Sequence, residues 1–152
     1  MKIVIQRVKY VNLYIDEKIY GKINRGLLVF LGISSNDTKS DAEYLVKKLI
    51  NMRIFNDNNN KMNLSIKDLE LSIMLVSQFT LYADCQSGNR PSFRESANQL
   101  MAKSLYNFFI EEIDRYNINF KTGIFGAMMD IEYINDGPVT IILESWKNQF
   151  AY

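Results

Sequence analysis

With 152 residues, 47% of them hydrophobic and 23% charged, the sequence is long enough for one domain, 1–152, with a core of its own, and its composition excludes a disordered chain. A formal net charge of +1 excludes the global basic field that grips a long duplex by its phosphates, so any nucleic acid must be held locally. There is no histidine and a single cysteine, Cys85, which excludes an internal disulfide, Ser-His-Asp and Cys-His catalysis, and the usual zinc sites.

Residues 1–11 carry charges every few positions around no apolar stretch, unlike a signal peptide. No apolar run approaches the ~20 residues that span a bilayer. A cytoplasmic protein with no membrane, metal or cofactor is expected.

Residues 2–15 read as a strand, Asp16-Glu17-Lys18 as a turn and 19–24 as the return strand. "LLVFLGI" (27–33) is apolar throughout and reads as a strand buried on both faces. Ser40 and Glu43 have the spacing of a capping box, followed by a helical stripe of Ala42, Leu45, Val46, Leu49 and Ile50. "NDNNNK" (56–61) reads as a loop, without the spacing or central glycine of a calcium-binding hand. Residues 71–82 read as the longest apolar strand and 83–95 as a polar loop. A second helix is expected over about 96–116, with Met101, Leu105, Phe108, Phe109 and Ile113 facing the core. Strands at about 120–126, 128–134 and 139–146 close the chain. Strands in adjacent runs with two helices imply an α+β fold with largely antiparallel, curled, barrel-like sheets and the helices packed on them.

Two stretches stand out, each of which alone reads as ordinary surface structure. In "SQFTLYA" (77–83), period two places Gln78, Thr80 and Tyr82 on one face and Ser77, Phe79 and Leu81 on the other. In "NDGPVT" (135–140), Asp-Gly-Pro reads as a reversal between two strands. No glycine-rich phosphate cradle is present. An enzyme built from this sequence must use backbone amides, hydroxyls or groups on its substrate.

Together with "QRV" (6–8), "GLLVFLGI" (26–33), "RIFND" (53–57), "KMNLS" (61–65) and "RPSF" (90–93), these stretches resemble, in order and over nearly the whole chain, the D-Tyr-tRNA(Tyr) deacylase family of D-aminoacyl-tRNA deacylases. The resemblance implies a homodimer that hydrolyses the ester between a D-amino acid and the 3′ end of tRNA, and that also removes glycine from tRNA(Ala). It implies that Ser77, Gln78, Phe79 and Thr80 line the reaction centre. It implies that Gly137-Pro138, joined by a cis bond, forms a chiral gate reaching into the partner's site. Met129 would line the pocket and Arg7 would fix the Gly-Pro segment. Ser87-Gly88-Asn89 and Asn60 depart from the family's usual Lys-Gly and Gly, which bears on tRNA contacts at those loops. Arg90 and Arg94 are candidates for RNA contact, while Lys47, Lys48 and Arg53 read as a solvated face.

An aminoacyl ester is already activated, so fixed donors for the oxyanion, with the tRNA 2′-OH assisting water, suffice without a strong base. Thr80 as a covalent nucleophile is the alternative chemistry. A small-ester or thioester hydrolase using Thr80 and a non-catalytic tRNA-binding dimer are the alternative functions.

Overall fold

A computed structural model describes residues 1–86 and 88–145. Ser87 and the tail from Trp146 onward, with the expected end of the last strand, lie outside the described residues.

The first strand organises the sheet. β1 (Lys2–Ile15) is followed by β2 (Lys18–Ile23) after a two-residue turn, Asp16-Glu17, with both residues at positive φ. That turn has the twist that antiparallel strands need. β3 (Gly26–Gly32) pairs with the first half of β1, from Lys2 opposite Gly32 to Val8 opposite Gly26. α1 (Lys39–Asn51) leads to a small hairpin of β4 (Phe55–Asn56) and β5 (Met62–Leu64). β6 (Ser72–Ser77) lies parallel to β3. After α2 (Gln99–Asp114), β7 (Phe120–Thr122) lies parallel to β6. β8 (Asp130–Glu144) runs antiparallel along the other edge of β1. The sheet is therefore mixed: antiparallel around β1 and parallel at β3, β6 and β7. β2 approaches β6 and β7, so the sheet curls nearly into a barrel.

Both sheet faces are covered, which is why β3 is apolar throughout. Leu27, Val29 and Leu31 face the core shared with α1 and α2, together with Ile73 and Leu75 of β6. Leu28 faces the curled interior with Met74, Val76, Val11 and Leu13. In α1 the buried apolar residues are the expected stripe: Ala42, Leu45, Val46, Leu49 and Ile50. In α2, Leu105, Phe109 and Ile113 are buried, while Met101 and Phe108 are half-buried.

Four local expectations are corrected. The capping box is closed by Thr38 and Asp41, not by Ser40 and Glu43: the Asp41 carboxylate accepts the Thr38 N–H at 2.8 Å. The strand expected to run to residue 82 ends at Ser77, and Phe79–Tyr82 form one 3₁₀ turn, so Gln78, Thr80 and Tyr82 do not share a strand face. Strand β7 stops at Thr122. "NDGPVT" does not reverse the chain, because residues 130–144 are one strand with the segment as an excursion inside it.

The polar loop at 57–61 is tied by a carboxylate. Asp57 accepts from Asn59 N at 2.8 Å, Lys61 N at 3.0 Å and Asn63 Nδ2 at 2.7 Å. These bonds, led by that from Asn63, hold its carboxyl below the ordinary value of 3.8. Ser65 N–H and hydroxyl do the same for Asp68. Burial pushes the Asp41 carboxyl up, but hydrogen bonds from Ser145 and Thr38 outweigh it and leave a net lowering. A carboxyl lowered on folding binds fewer protons in the native than in the unfolded state, so its contribution is present above the unfolded value and fades as pH falls through the folded one. The melting temperature is therefore expected to be level above about pH 5 and to fall below about pH 4. Asp41→Asn should flatten that acid limb in thermal melts followed by circular dichroism, and an unchanged limb would remove Asp41 as a contributor.

Candidate functional site

A cavity of about 560 Å³ opens beyond the C-terminal ends of the parallel strands β3 and β6, the usual position for a ligand against parallel strands. Leu31, Ile33, Val76 and Ile131 floor it with apolar surface. Ser77, Gln78, Phe79 and Thr80 form one wall, and Met129 lines it from the start of the β8 region. Five of the expected site residues are thus brought together.

The wall is shaped by a residue the sequence reading passed over. The strand gives way to the 3₁₀ turn directly over Gly32, where a Cβ would stand 3.0 Å from Leu81 Cβ and 3.2 Å from the Gln78 carbonyl oxygen. Without a side chain there, the turn can lie against β3, and Gln78 N–H donates to Leu31 O at 2.8 Å. Leu81 N–H returns to Gln78 O at 3.3 Å, whereas the N–H groups of Phe79 and Thr80 open the turn and have no backbone partner among the described residues. The Gln78 amide donates to Thr80 Oγ1, so that oxygen is already an acceptor and its proton is free to donate elsewhere. Ser96 Oγ donates to the Phe79 carbonyl at 3.2 Å, steadying the turn from the loop before α2. The exposed Phe79 ring meets Phe93 edge to face, with centroids 4.9 Å apart. "RPSF" was legible as a segment, but Ser96 gave no signal in the sequence.

None of the described residues lining the cavity is ionisable. Tyr82, on the same turn, is buried, and burial with nearby carboxylates pushes its hydroxyl well above the ordinary range, so it remains protonated. The cavity wall therefore carries backbone N–H and hydroxyl donors, and among the described residues no ionisable side chain lines it.

The remaining expected residues lie apart. Arg7, Gly137 and Pro138 do not line this cavity. Arg7 is buried; Nη1 donates to Ile54 O at 2.7 Å, Nε donates to Asp136 O at 3.1 Å and pairs with Asp136 Oδ2 at 3.3 Å. Gly137 and Pro138 are exposed beside it, joined by a cis peptide bond. Gly137 has φ of +134°, and a Cβ there would stand 2.8 Å from Val139 Cγ2 and 3.1 Å from Arg7 Nη2, so only glycine fits.

Arg90 and Arg94 are exposed on the loop before α2 and form no ion pair among the described residues, while Arg53 is engaged with Asn63 at 2.7 and 2.8 Å. Cys85 is free and exposed. No group of three or more Cys, Asp or Glu that could hold a metal occurs among the described residues. Among them, too, no helix is long and apolar enough to cross a membrane.

The sequence profile of the D-Tyr-tRNA(Tyr) deacylase family matches residues 4–144. The chain is 55% identical over 148 residues to the D-aminoacyl-tRNA deacylase of Thermosipho melanesiensis, covering 97% of this chain and 99% of that one. It is 52% identical over 145 residues to the D-aminoacyl-tRNA deacylase of Finegoldia magna, covering 95% and 98%. Among solved structures it is similar to the c-Myc DNA unwinding element binding protein, at 39% identity, a TM-score of 0.89 and coverage of 95% and 98%. A probable eukaryotic D-amino acid tRNA deacylase shares the fold at 17% identity, a TM-score of 0.84 and coverage of 94% and 98%.

Proposed function

This chain belongs to the D-Tyr-tRNA(Tyr) deacylase family, an enzyme family that hydrolyses ester bonds, and from that membership we propose how its site works. It acts as a D-aminoacyl-tRNA deacylase on the ester between the amino acid and the 3′-terminal ribose. The observation that carries the mechanism is the cavity wall: backbone N–H groups at Phe79 and Thr80 and a Thr80 hydroxyl that donate to no partner among the described residues, in a lining of which no described residue is ionisable. Such donors, fixed in place by the 3₁₀ turn before substrate arrives, stabilise the oxyanion as it develops. Ser77, Gln78 and Met129 hold the acyl group against them. Water attacks with help from the vicinal 2′-OH of the terminal adenosine.

Chirality is read by Gly137 and Pro138. Both are exposed and outside their own chain's cavity, which supports a homodimer in which each protomer's segment closes the other's site. β8 also supports this, because among the described residues it pairs with β1 along one edge only and carries Ile134 and Ile142, 44% and 61% exposed. Proline fixes φ and glycine brings main chain close, making a rigid wall where an L side chain would project. A D side chain points to solvent. Glycine has no side chain to reject, so glycine on tRNA(Ala) is released too. The enzyme works in the cytoplasm, where charged tRNA is used.

The test uses one tRNA charged in turn with D-Tyr, L-Tyr and Gly. Rapid release of D-Tyr and Gly with L-Tyr retained is the expected outcome. Equal release of L-Tyr would leave Gly137-Pro138 as surface. Turnover of free small esters in preference to charged tRNA would point to a general esterase. Binding without turnover would make the protein an RNA-binding module.

A further inference from the structure

The excursion that carries Gly137 and Pro138 raises its own hydrogen-bonding problem. Gln6 of β1 stands opposite Thr140, and Val8 stands opposite Asn135, so Arg7 alone faces residues 136–139. Those residues leave the regular ladder, and their backbone polar groups need partners from elsewhere. Pro138 has no N–H to offer. Arg7 takes the Asp136 carbonyl. On the far side the Asn135 side chain does the equivalent work: Oδ1 accepts the Val139 N–H at 3.0 Å, closing a ring of backbone and side chain around Gly137-Pro138. The other half of the same amide, Nδ2, donates to Thr140 Oγ1 at 3.0 Å, and Gln6 Nε2 donates to that oxygen at 3.2 Å. The Thr140 hydroxyl thus receives two donors, one from each strand, and fixes which way the Asn135 amide faces.

We infer that Asn135 and Thr140 are positioning residues for the Gly137-Pro138 wall and that, with Gln6, they set how sharply D- and L-aminoacyl esters are distinguished; the inference rests on the deacylase reading above. Arg7 anchors the start of the excursion and Asn135 its end. Thr140 is exposed, where single hydrogen bonds add little net stability, so the chief effect of this network is on geometry. A wall that moves by a fraction of an ångström admits the L side chain without losing the D substrate, so the network acts on the ratio of the two rates.

The experiment measures kcat/KM for L-Tyr-tRNA and D-Tyr-tRNA with the full chain and four variants, with thermal melts alongside. Asn135→Ala removes both bonds and should raise the L-to-D ratio about tenfold, the scale set by losing oriented hydrogen bonds near a discriminating contact. Asn135→Asp keeps the acceptor for Val139 N–H and loses the donor to Thr140, and should fall between. Thr140→Val, which replaces a hydroxyl with a methyl, should raise the ratio, and Thr140→Ser should restore it. A merely structural role lowers both rates together and leaves the ratio alone, which would overturn the inference. So would a wild-type ratio in both Asn135→Ala and Thr140→Val. If Asn135→Ala fails to fold, the Thr140 pair gives the same reading. A wild-type enzyme that released neither ester, or both equally, would instead overturn the deacylase or gate reading beneath it.

Discussion

D-Tyr carried on a tRNA ending in 2′-deoxyadenosine, esterified at its 3′ oxygen, should be released at least about a hundredfold more slowly than from the ordinary tRNA, the scale of a lost acid–base or positioning group. Thr80→Val should cost no more than about tenfold, less than a whole oxyanion hole, because the Phe79 and Thr80 N–H groups survive the change. The asymmetry follows from what surrounds the hydroxyl. A nucleophilic threonine needs a neighbour that accepts its proton. Here its close neighbour, the Gln78 amide, donates to it, and no ionisable side chain lines the cavity among the described residues. On the proposed mechanism the substrate's own 2′-OH, vicinal to the reacting ester, orders or activates the water. Single-turnover release of labelled D-Tyr decides the matter. If Thr80→Val abolishes release while the deoxy substrate reacts normally, or if an acyl-enzyme builds up on Thr80, the covalent mechanism replaces the one proposed.

The sequence made the scaffold legible where burial dictated residue choice. β3 is apolar on both faces because it lies between two cores, and the α1 stripe is the set of residues that the helix buries. The capping box expected at Ser40 and Glu43 lies instead at Thr38 and Asp41, whose carboxylate also answers Ser145, a residue far away in sequence. The cavity wall misled period-two reading because nothing within 77–83 announces that Gly32, on the neighbouring strand, leaves room for a turn. The 135–140 segment misled for a related reason. Asp-Gly-Pro reads as a reversal, yet 130–135 and 140–144 pair with the same strand in the same sense. The excursion also switches faces: Ile131 and Tyr133 pack into the curled interior, whereas Val139, Ile141 and Leu143 pack toward the helices. Odd-numbered apolar residues on both sides of it look like one unbroken pattern, and only the pairing with β1 reveals the switch.

That pairing gives Arg7 its weight, and Arg7→Lys is expected to be far from conservative. The guanidinium reaches two backbone carbonyls and a carboxylate at once: Ile54 O beyond α1, Asp136 O at the start of the excursion, and Asp136 Oδ2. An ammonium is a point donor on a flexible stem and cannot span that fork. The ion pair is largely buried, its side chains 10% and 27% exposed, so a partner left behind stays poorly solvated. Removing the cation altogether, as Arg7→Met does, costs about 3 kcal/mol, the lower end for buried pairs. For a chain of this size, that lowers the melting temperature by roughly 6–12 °C. Arg7→Lys keeps a cation and should cost less, while its single ammonium cannot satisfy both carbonyls and the carboxylate. The functional effect should exceed the stability effect at temperatures where the variant is folded, because the fork ties Ile54 to the excursion that we propose sets the D-to-L ratio. At 25 °C, Arg7→Lys should therefore release L-Tyr from tRNA measurably while still releasing D-Tyr. A variant that melts like the wild type and still refuses L-Tyr would mean that the excursion holds its shape without Arg7, leaving Asn135 and Thr140 as its effective anchors.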